Sequence, residues 1–411
     1  MGTGEAPAGG DTAAEAADAA ELRAALVARL RAAGRLHDER VADAFATVPR
    51  ELFLAGHVRR HGLAAVYEDE AIVTRQAEDG TATSSSSQPS IMAVMLEMLA
   101  LRPGARVLEI GAGTGYNAAL LAHLVGASGA VTSVELDPDT AAGARRTLRS
   151  AGSPVEVVVG DGHGGWPAAA PVDAMVATAS VNAIPRAWHE QLAPGGVLVV
   201  PLQLARAMLF PQAVVALRKV RQGFDPVASS SGGFMRLRSD VAAPRDAVVA
   251  AHEEAGDDPV ERIRFTGPAL PGLDRLARRR LLVTALGFSR AEPLPVRWPA
   301  AGDLLTYATL ALPEERLLVV ERPPGPQALG VLDAADGSLA LLAVAKEGLR
   351  LESFGRTGAE NALRSAVDRW DLAGRPSVAS ARVAVRYGVA RPHSWRSTRR
   401  GDQWIGLDWS T

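Results

Sequence analysis

Residues 107–116 read VLEIGAGTGY, a short apolar run that ends in glycines at alternate positions. The run predicts a buried parallel β-strand, and the glycines predict a tight turn where a ligand can approach the main chain. Helix-forming residues follow at 117–122. A strand, a glycine turn and a helix in this order open a nucleotide-type binding site on a doubly wound α/β sheet.

Two acidic residues end later strands of the same predicted sheet. Glu135 follows the apolar run 130–134, about twenty residues after the glycines, where a carboxylate binds ribose hydroxyl groups. Asp161 follows the strand predicted at 155–159 and can accept a hydrogen bond from an adenine amino group. These spacings fit NAD and S-adenosylmethionine equally well.

The turn itself favours S-adenosylmethionine over a dinucleotide. Its last glycine is displaced from the GxGxxG pattern of dinucleotide enzymes. Glu109, beside the turn, would repel a pyrophosphate, whereas it could face the cationic methionine end of S-adenosylmethionine. We therefore expect S-adenosylmethionine as the cofactor.

Over about residues 40 to 240 the sequence resembles the protein-L-isoaspartate (D-aspartate) O-methyltransferase family. The SSQP segment at 86–89, with the Met-Leu-Glu helix after it, is the most family-specific match, whereas the glycine turn is shared by most S-adenosylmethionine enzymes. The other matching segments are VPRELF at 48–53, AVYED at 65–69, VE at 134–135, GDG at 160–162, PVDA at 171–174, IP at 184–185 and QLAPGG at 191–196.

The resemblance implies a Rossmann-like, S-adenosylmethionine-dependent methyltransferase fold and the following site. Ser87 is the catalytic residue, with its hydroxyl beside the transferred methyl group. Substrate contacts come from Tyr67, Ser86, Gln88, Ala179, Ser180 and Arg236. Cofactor contacts come from Glu109, Gly111, Ala112, Gly113, Thr114, Gly115, Asn117, Glu135, Leu136, Asp161, Gly162 and Thr178.

Two segments of the predicted site depart from the family pattern. Ser85 and Ser86 stand where the family has Thr-Ile, and the extra hydroxyls could reshape the substrate pocket. The run FMRL at 234–237 stands where the family has an FVPL-like strand. Arg236 is therefore either a partner for a peptide carboxylate or an ordinary surface arginine.

The 411 residues are long enough for two domains. Residues 1–19 hold almost nothing to bury and are predicted to be a disordered tail. Residues 20–240 form the predicted methyltransferase domain, with a helical lead-in. Residues 241–411 form a predicted C-terminal α+β extension, with strands at 304–310, 316–320, 339–344 and 381–387, and it is a candidate for peptide recognition.

The composition limits which binding partners and which cellular compartment are expected. A net charge of −2 gives no reason to expect nucleic-acid binding, and no apolar run reaches transmembrane length. The N-terminus lacks a secretory signal pattern, and zero cysteines fit a reducing cytoplasm. His57 and His61 have helical spacing, but the Glu of an HExxH zinc motif is absent, so no metal is expected.

Three functions remain open from the sequence. The first is methylation of an aspartyl side chain in a ribosomally synthesised, modified peptide (of the lanthipeptide or graspetide kind), whose ester closes to a succinimide and opens to Asp or isoAsp. The second is general repair of isoaspartyl damage in proteins. The third is a non-catalytic peptide-binding scaffold. The long C-terminal region favours the first, and the intact glycine turn disfavours the third.

Overall fold

A ten-stranded mixed sheet is the framework on which the predicted site is built. The structure is a computed structural model, and it describes residues 10–78, 80, 82–205, 212–238, 263–287, 289–321, 327–388, 391 and 393–409. Five strands of the sheet are parallel neighbours, in the order β7-β6-β3-β4-β5. They are β3 (Arg106–Ile110), β4 (Ala130–Glu135), β5 (Val155–Val159), β6 (Val172–Ala177) and β7 (Leu192–Gln203).

Five antiparallel strands extend this sheet beyond β7. In spatial order from β7 they are β8 (Gln212–Val220), β9 (Gly223–Ser231), β16 (Ala381–Tyr387), β18 (Gln403–Trp409) and β17 (Arg396–Arg400). The last three strands of the chain therefore belong to the same sheet as the glycine turn. The predicted division at residue 240 does not coincide with a boundary between sheets, and residues 241–262 lie outside the described part.

Helices cover the parallel strands, and apolar residues fill the space between them. The strands are apolar on both faces, as parallel strands buried by crossover helices are. Together with the strand order, this confirms the predicted α/β doubly wound fold. The helices of this part are α1 (Gly10–Ala32), α2 (Glu39–Thr47), α3 (Arg50–Phe53), α4 (Ala55–His61), α5 (Pro89–Leu99), α6 (Tyr116–Val125), α7 (Pro138–Ser150) and α8 (Arg186–Gln191).

A second, six-stranded antiparallel sheet lies in the C-terminal part, in the order β10-β12-β13-β14-β15-β11. Its strands are β10 (Arg264–Thr266), β11 (Ser289–Arg297), β12 (Leu317–Glu321), β13 (Ala328–Asp333), β14 (Ser338–Val344) and β15 (Gly348–Phe354). The helices here are α9 (Arg275–Leu286), α10 (Ala300–Ala311) and α11 (Gly358–Leu372). A two-stranded hairpin, β1 (Ile72–Gln76) and β2 (Ala82–Ser86), precedes α5.

Several predicted elements differ from the structure. Residues 10–19 of the predicted disordered tail lie in α1, and residues 1–9 lie outside the described part. The strand predicted at 304–310 is part of α10, because a helix buried on most of its surface shows no polar stripe. Among the helices of the described ranges, none has the length and apolar character needed to cross a bilayer.

Candidate functional site

The glycine turn joins β3 to α6 and is packed from both sides. Gly111 has a φ of +98°, and a Cβ there would overlap the hydroxyl of Thr178. A Cβ on Gly113 would lie 3.4 Å from the carbonyl oxygen of Ser85, in strand β2 of the hairpin. The main chain therefore fits between the end of β6 and the hairpin, and at Gly111 the close approach requires glycine.

A cleft opens over this turn at the carboxyl ends of β3, β4 and β6, the edge where ligands bind in such sheets. The hairpin and the 235–238 segment form its other walls. Most of the predicted cofactor residues and several predicted substrate residues line it. They are Ser86, Ser87, Gly111, Ala112, Gly113, Thr114, Asn117, Glu135, Leu136, Gly162, Thr178, Ala179 and Arg236.

The polar groups of this cleft fit the predicted cofactor. One carboxylate oxygen of Glu135 accepts a hydrogen bond from the N–H of Gly113 at 3.0 Å, and the other accepts one from Asp137 at 3.2 Å. The carboxylate thus stands at the end of β4, beside the turn, with lone pairs left for hydroxyl donors. Ser86 is 4% exposed, and its Oγ has no hydrogen-bond partner among the described residues. A buried hydroxyl without a partner is costly, so a polar ligand atom there would offset that cost.

Glu109 lies behind the turn instead of in the cleft. It is fully buried, accepts a hydrogen bond from Asn117 Nδ2 at 2.8 Å and another from the hydroxyl of Ser133. Burial raises the pKa of Glu109 from its ordinary 4.5 to about 7. The predicted direct contact with the methionine end of the cofactor is therefore not seen. Glu109 instead holds Asn117, which does line the cleft.

Two other predicted cofactor residues also do not line the cleft. The carboxylate of Asp161 accepts a hydrogen bond from the N–H of His163 at 2.9 Å and lies 3.0 Å from His163 Nδ1. Gly115 packs against α7, where a Cβ would meet Leu148 Cγ at 3.1 Å. Both follow the family pattern, yet local hydrogen bonding and packing account for their positions.

A second cavity, of about 340 Å³, adjoins the first along a shared wall. Ser87 and Thr178 line both cavities, and Gln88 lines the second. The hydroxyl of Thr178 donates to the carbonyl oxygen of Gly111 at 2.8 Å, which fixes the wall that the two cavities share. The second cavity is also bounded by the N-terminus of α5, through Ser90 and Ile91.

Two predicted substrate residues lie away from both cavities. The hydroxyl of Tyr67 donates to the carboxylate of Glu51, and Arg23 approaches the same hydroxyl at 3.4 Å. Its ring is 1% exposed, so it is part of the core beneath the site. Ser180 is fully buried and exchanges main-chain hydrogen bonds with Met235 and Leu237 at 2.8 Å each. Ser180 therefore holds the segment that carries Arg236, which reaches the cleft.

Three residues with no role in the sequence-based site support or line it. Arg50, from the VPRELF segment, is fully buried and donates to the carbonyl oxygens of Val66 at 2.8 Å and Ser87 at 3.1 Å. Asp69, from AVYED, accepts from Ser90 N–H at 2.8 Å at the start of α5. Arg35 lines the second cavity as its one cation among the described residues. Arg50 and Asp69 belong to segments that match the family, so the sequence contained a signal for them. Nothing in the sequence distinguishes Arg35 from other surface arginines.

The histidine pair considered for a metal lies on α4. The rings of His57 and His61 have centroids 4.4 Å apart. Across the described ranges, no group of three or more His, Asp or Glu side chains could hold a metal ion.

The protein-L-isoaspartate(D-aspartate) O-methyltransferase family model matches residues 21–223. A protein-L-isoaspartate O-methyltransferase from Ignicoccus hospitalis is 39% identical to this chain over a match that covers 44% of this chain and 82% of that relative. One from Methylorubrum extorquens is 38% identical over 53% of this chain and 86% of its own. One from Thermotoga maritima is 42% identical over 40% of this chain, but the match spans only 51% of that relative.

A solved protein-L-isoaspartate O-methyltransferase matches the fold over 95% of this chain and 100% of its own. The TM-score is 0.50 at 24% sequence identity, so the likeness concerns the fold. Because this match reaches beyond residue 240, a C-terminal part of this kind is not peculiar to the present chain. By these matches the chain belongs to the protein-L-isoaspartate (D-aspartate) O-methyltransferase family.

Proposed function

We propose that this enzyme transfers a methyl group from S-adenosylmethionine to the free carboxylate of isoaspartyl residues in proteins and peptides. The predicted methyltransferase activity is confirmed by the family, and S-adenosylmethionine is the family's cofactor. One observation carries the proposal for this chain: the cofactor cleft and a second cavity share a wall, which includes Ser87 and Thr178. A donor in one cavity and a carboxylate in the other would then be neighbours across this shared wall.

The residues around Ser87 suit a carboxylate nucleophile. A carboxylate with an ordinary pKa of about 4 is ionised at neutral pH, so no general base is needed. S-adenosylmethionine supplies a methyl group already activated by its sulfonium. The chain has to orient the carboxylate and exclude water. Ser87 and Arg35 line the second cavity and would do so through a hydroxyl and a guanidinium group.

The methyl ester would leave the active site and react further on its own. The next main-chain nitrogen attacks the ester carbonyl, and the nitrogen's proton leaves with the methoxy group as methanol, which closes a succinimide. Water then opens the ring to Asp or isoAsp. We further propose that the reaction takes place in the cytoplasm, as the sequence predicts.

A second candidate substrate is a ribosomally synthesised, modified peptide with a genuine Asp. The C-terminal region was the sequence feature in its favour. The fold match over 95% of the chain weakens that reasoning, because the matching structure bears the name of the isoaspartate enzyme. The feature that still supports this candidate is a cavity that α10, β12 and β13 of the C-terminal part help to line.

Mass spectrometry of peptides incubated with S-adenosylmethionine distinguishes these functions. Matched peptides carrying isoAsp or Asp at one position, and a ring-bearing modified peptide, would be compared. A gain of one methylene on the isoAsp peptide alone, followed by loss of methanol, supports the repair reaction. The same mass gain of one methylene, found only on the Asp of the modified peptide, supports the second candidate. Cofactor binding with no gain on any peptide would favour the non-catalytic scaffold.

We expect Ser87→Ala to lower kcat about tenfold and to leave the affinity for S-adenosylhomocysteine nearly unchanged. The reason is the loss of one hydrogen bond to a charged group, worth roughly 1.5 kcal/mol. Ser128→Ala is a suitable control, because Ser128 is exposed at the amino end of β4, away from the cleft. Equal losses of rate and of cofactor affinity in Ser87→Ala would mean that Ser87 is structural.

A further inference from the structure

A third cavity, of about 740 Å³, lies where the C-terminal part meets the methyltransferase part. Helix α10 and strands β12 and β13 form one side, and the segment after β9 forms the other. The walls include Trp298, Leu305, Thr306, Val319 and Leu329. No role in the methyl transfer itself requires this cavity.

The surface of this cavity is more apolar than its residue types suggest. The hydroxyls of Thr306 and Thr309 donate to carbonyl oxygens one turn earlier in α10, at 3.0 Å and 2.7 Å, so these donors are already used within the helix. Asp303 accepts from the N–H of Val378 at 2.8 Å. The indole N–H of Trp298 donates to the carbonyl of Ala345 at 3.3 Å, and the side chain remains 43% exposed. The cavity thus offers an aromatic ring, aliphatic side chains and methyl groups.

This cavity adjoins the second cavity, called the carboxylate cavity below because the proposed function assigns the substrate carboxylate to it. Arg35, Ser231, Gly232 and Gly233 line both. The carboxylate cavity in turn shares Ser87 with the cofactor cleft. The three cavities therefore adjoin one another in a row that runs from the glycine turn to Trp298.

We propose that the third cavity binds a large apolar side chain of the substrate polypeptide, a few residues away from the isoaspartyl residue. The proposal rests on the function proposed above and adds a sequence preference to it. The isoaspartyl carboxylate lies at Ser87, the substrate main chain passes Gly232 and Gly233, and a leucine-sized or aromatic side chain packs against Trp298 and Leu305. Damaged segments taken from protein cores, which are rich in such side chains, are then better substrates than polar ones.

The test is a series of isoaspartyl peptides in which one leucine is moved through positions on either side of the isoaspartyl residue, in an otherwise serine and glycine background. We expect kcat/KM to rise about tenfold at one or two positions, the effect of burying one apolar side chain. Trp298→Ala and Leu305→Asn should abolish the rise, so that each variant methylates the leucine peptides no faster than the all-serine peptide. Trp395→Ala is the matched control, because Trp395 is 44% exposed and lies outside the three cavities.

Calorimetry of the same peptides with the S-adenosylhomocysteine-bound protein separates this proposal from the proposed function. A leucine-dependent gain in affinity that Trp298→Ala removes supports the cavity assignment even if no methyl transfer occurs. Equal affinities and equal kcat/KM values across the leucine series overturn it, even if every isoaspartyl peptide is methylated. A leucine preference that survives both variants also overturns it.

Discussion

Two neighbouring carboxylates, Glu109 and Glu135, show how side-chain surroundings assign roles at the residue scale. Both belong to adjacent parallel strands, and the charge of Glu135 contributes to raising the pKa of Glu109. Glu135 lines the cleft, whereas Glu109 is sealed behind the turn. Residue type and spacing predicted a ligand role for both, because a sequence pattern does not show which side of a glycine turn a carboxylate faces. The same limit applies to Tyr67, whose hydroxyl is bound to Glu51.

We expect Glu135→Gln to weaken S-adenosylhomocysteine binding by about tenfold or more. The amide keeps one acceptor for the N–H of Gly113 but loses a charge-assisted hydrogen bond to the ribose hydroxyls, worth roughly 1.5–3 kcal/mol. Calorimetry measures the change. Glu156→Gln, an exposed position on the neighbouring strand β5, is the control. Unchanged affinity in Glu135→Gln would contradict the assignment of Glu135 to the ribose hydroxyls.

The raised pKa of Glu109 has a consequence for stability. A carboxyl whose pKa is about 7 in the folded state and 4.5 otherwise contributes stability that is fully present below pH 4.5 and is lost as the pH rises through 7. The loss amounts to roughly 3 kcal/mol. We expect Glu109→Gln to remove this pH dependence, since the amide does not ionise. Urea unfolding of both proteins between these pH values measures it, and parallel pH profiles would contradict the prediction.

At the scale of elements, the hairpin β1–β2 lies over the cofactor cleft, and each of its strands is held near the turn that joins them. Arg75 of β1 pairs with Asp137, which caps α7, and lies 3.8 Å from Asp139 and 3.2 Å from Thr140 Oγ1. Arg238 donates to the carbonyl of Thr83 in β2 at 3.0 Å. Residues 82–86 carry no strand pattern in the sequence, and only their pairing with residues 72–76 shows them to be a strand.

We expect Arg75→Ala to raise the dissociation constant for S-adenosylhomocysteine about threefold, through faster release of the cofactor. An exposed ion pair is worth roughly 0.2–1 kcal/mol, so a larger effect is not expected. Stopped-flow measurement of the release rate tests this. Arg31→Ala is the control, because the Arg31 side chain is also 45% exposed and pairs with Glu39, on helices away from the cleft. The same release rate in both variants would mean that the ion pair does not hold the hairpin.

The parallel strands and their crossover helices were predictable because each carries its own pattern of apolar runs and glycines. Helix α10 was not, because Leu304, Thr306 and Leu310 are all buried and β-branched residues interrupt the helical pattern. Its correct assignment depends on packing against β11 and α11, which no local pattern contains.

At the scale of the whole molecule, the end of the chain completes the methyltransferase sheet. Strand β16 pairs with β9 through Val385 and Phe224. Arg400 is 5% exposed and donates to the carbonyl oxygens of Gln203 at 2.6 Å and Leu204 at 2.8 Å. Contacts between residues so far apart in sequence cannot be read from composition or spacing. The predicted division into 20–240 and 241–411 remains untested as a division into independent folding units.

We expect Arg400→Ala to lower the free energy of unfolding by about 3 kcal/mol, because buried carbonyl oxygens lose their donors. Arg399→Ala, at the exposed neighbouring position, should change it little. Chemical denaturation of both variants gives the comparison. A loss of stability no larger for Arg400→Ala than for Arg399→Ala would mean that the C-terminal strands are only loosely joined to the sheet.

The most direct measurement is a crystal structure of the protein with S-adenosylhomocysteine and an isoaspartyl peptide. We predict the sulfur of S-adenosylhomocysteine in the cleft over Gly111 and Gly113, the ribose at Glu135, and the isoaspartyl carboxylate in the adjoining cavity, with Ser87 between them. A peptide carboxylate bound away from Ser87, or a cofactor bound outside the cleft, would contradict the proposal that donor and acceptor meet at this residue.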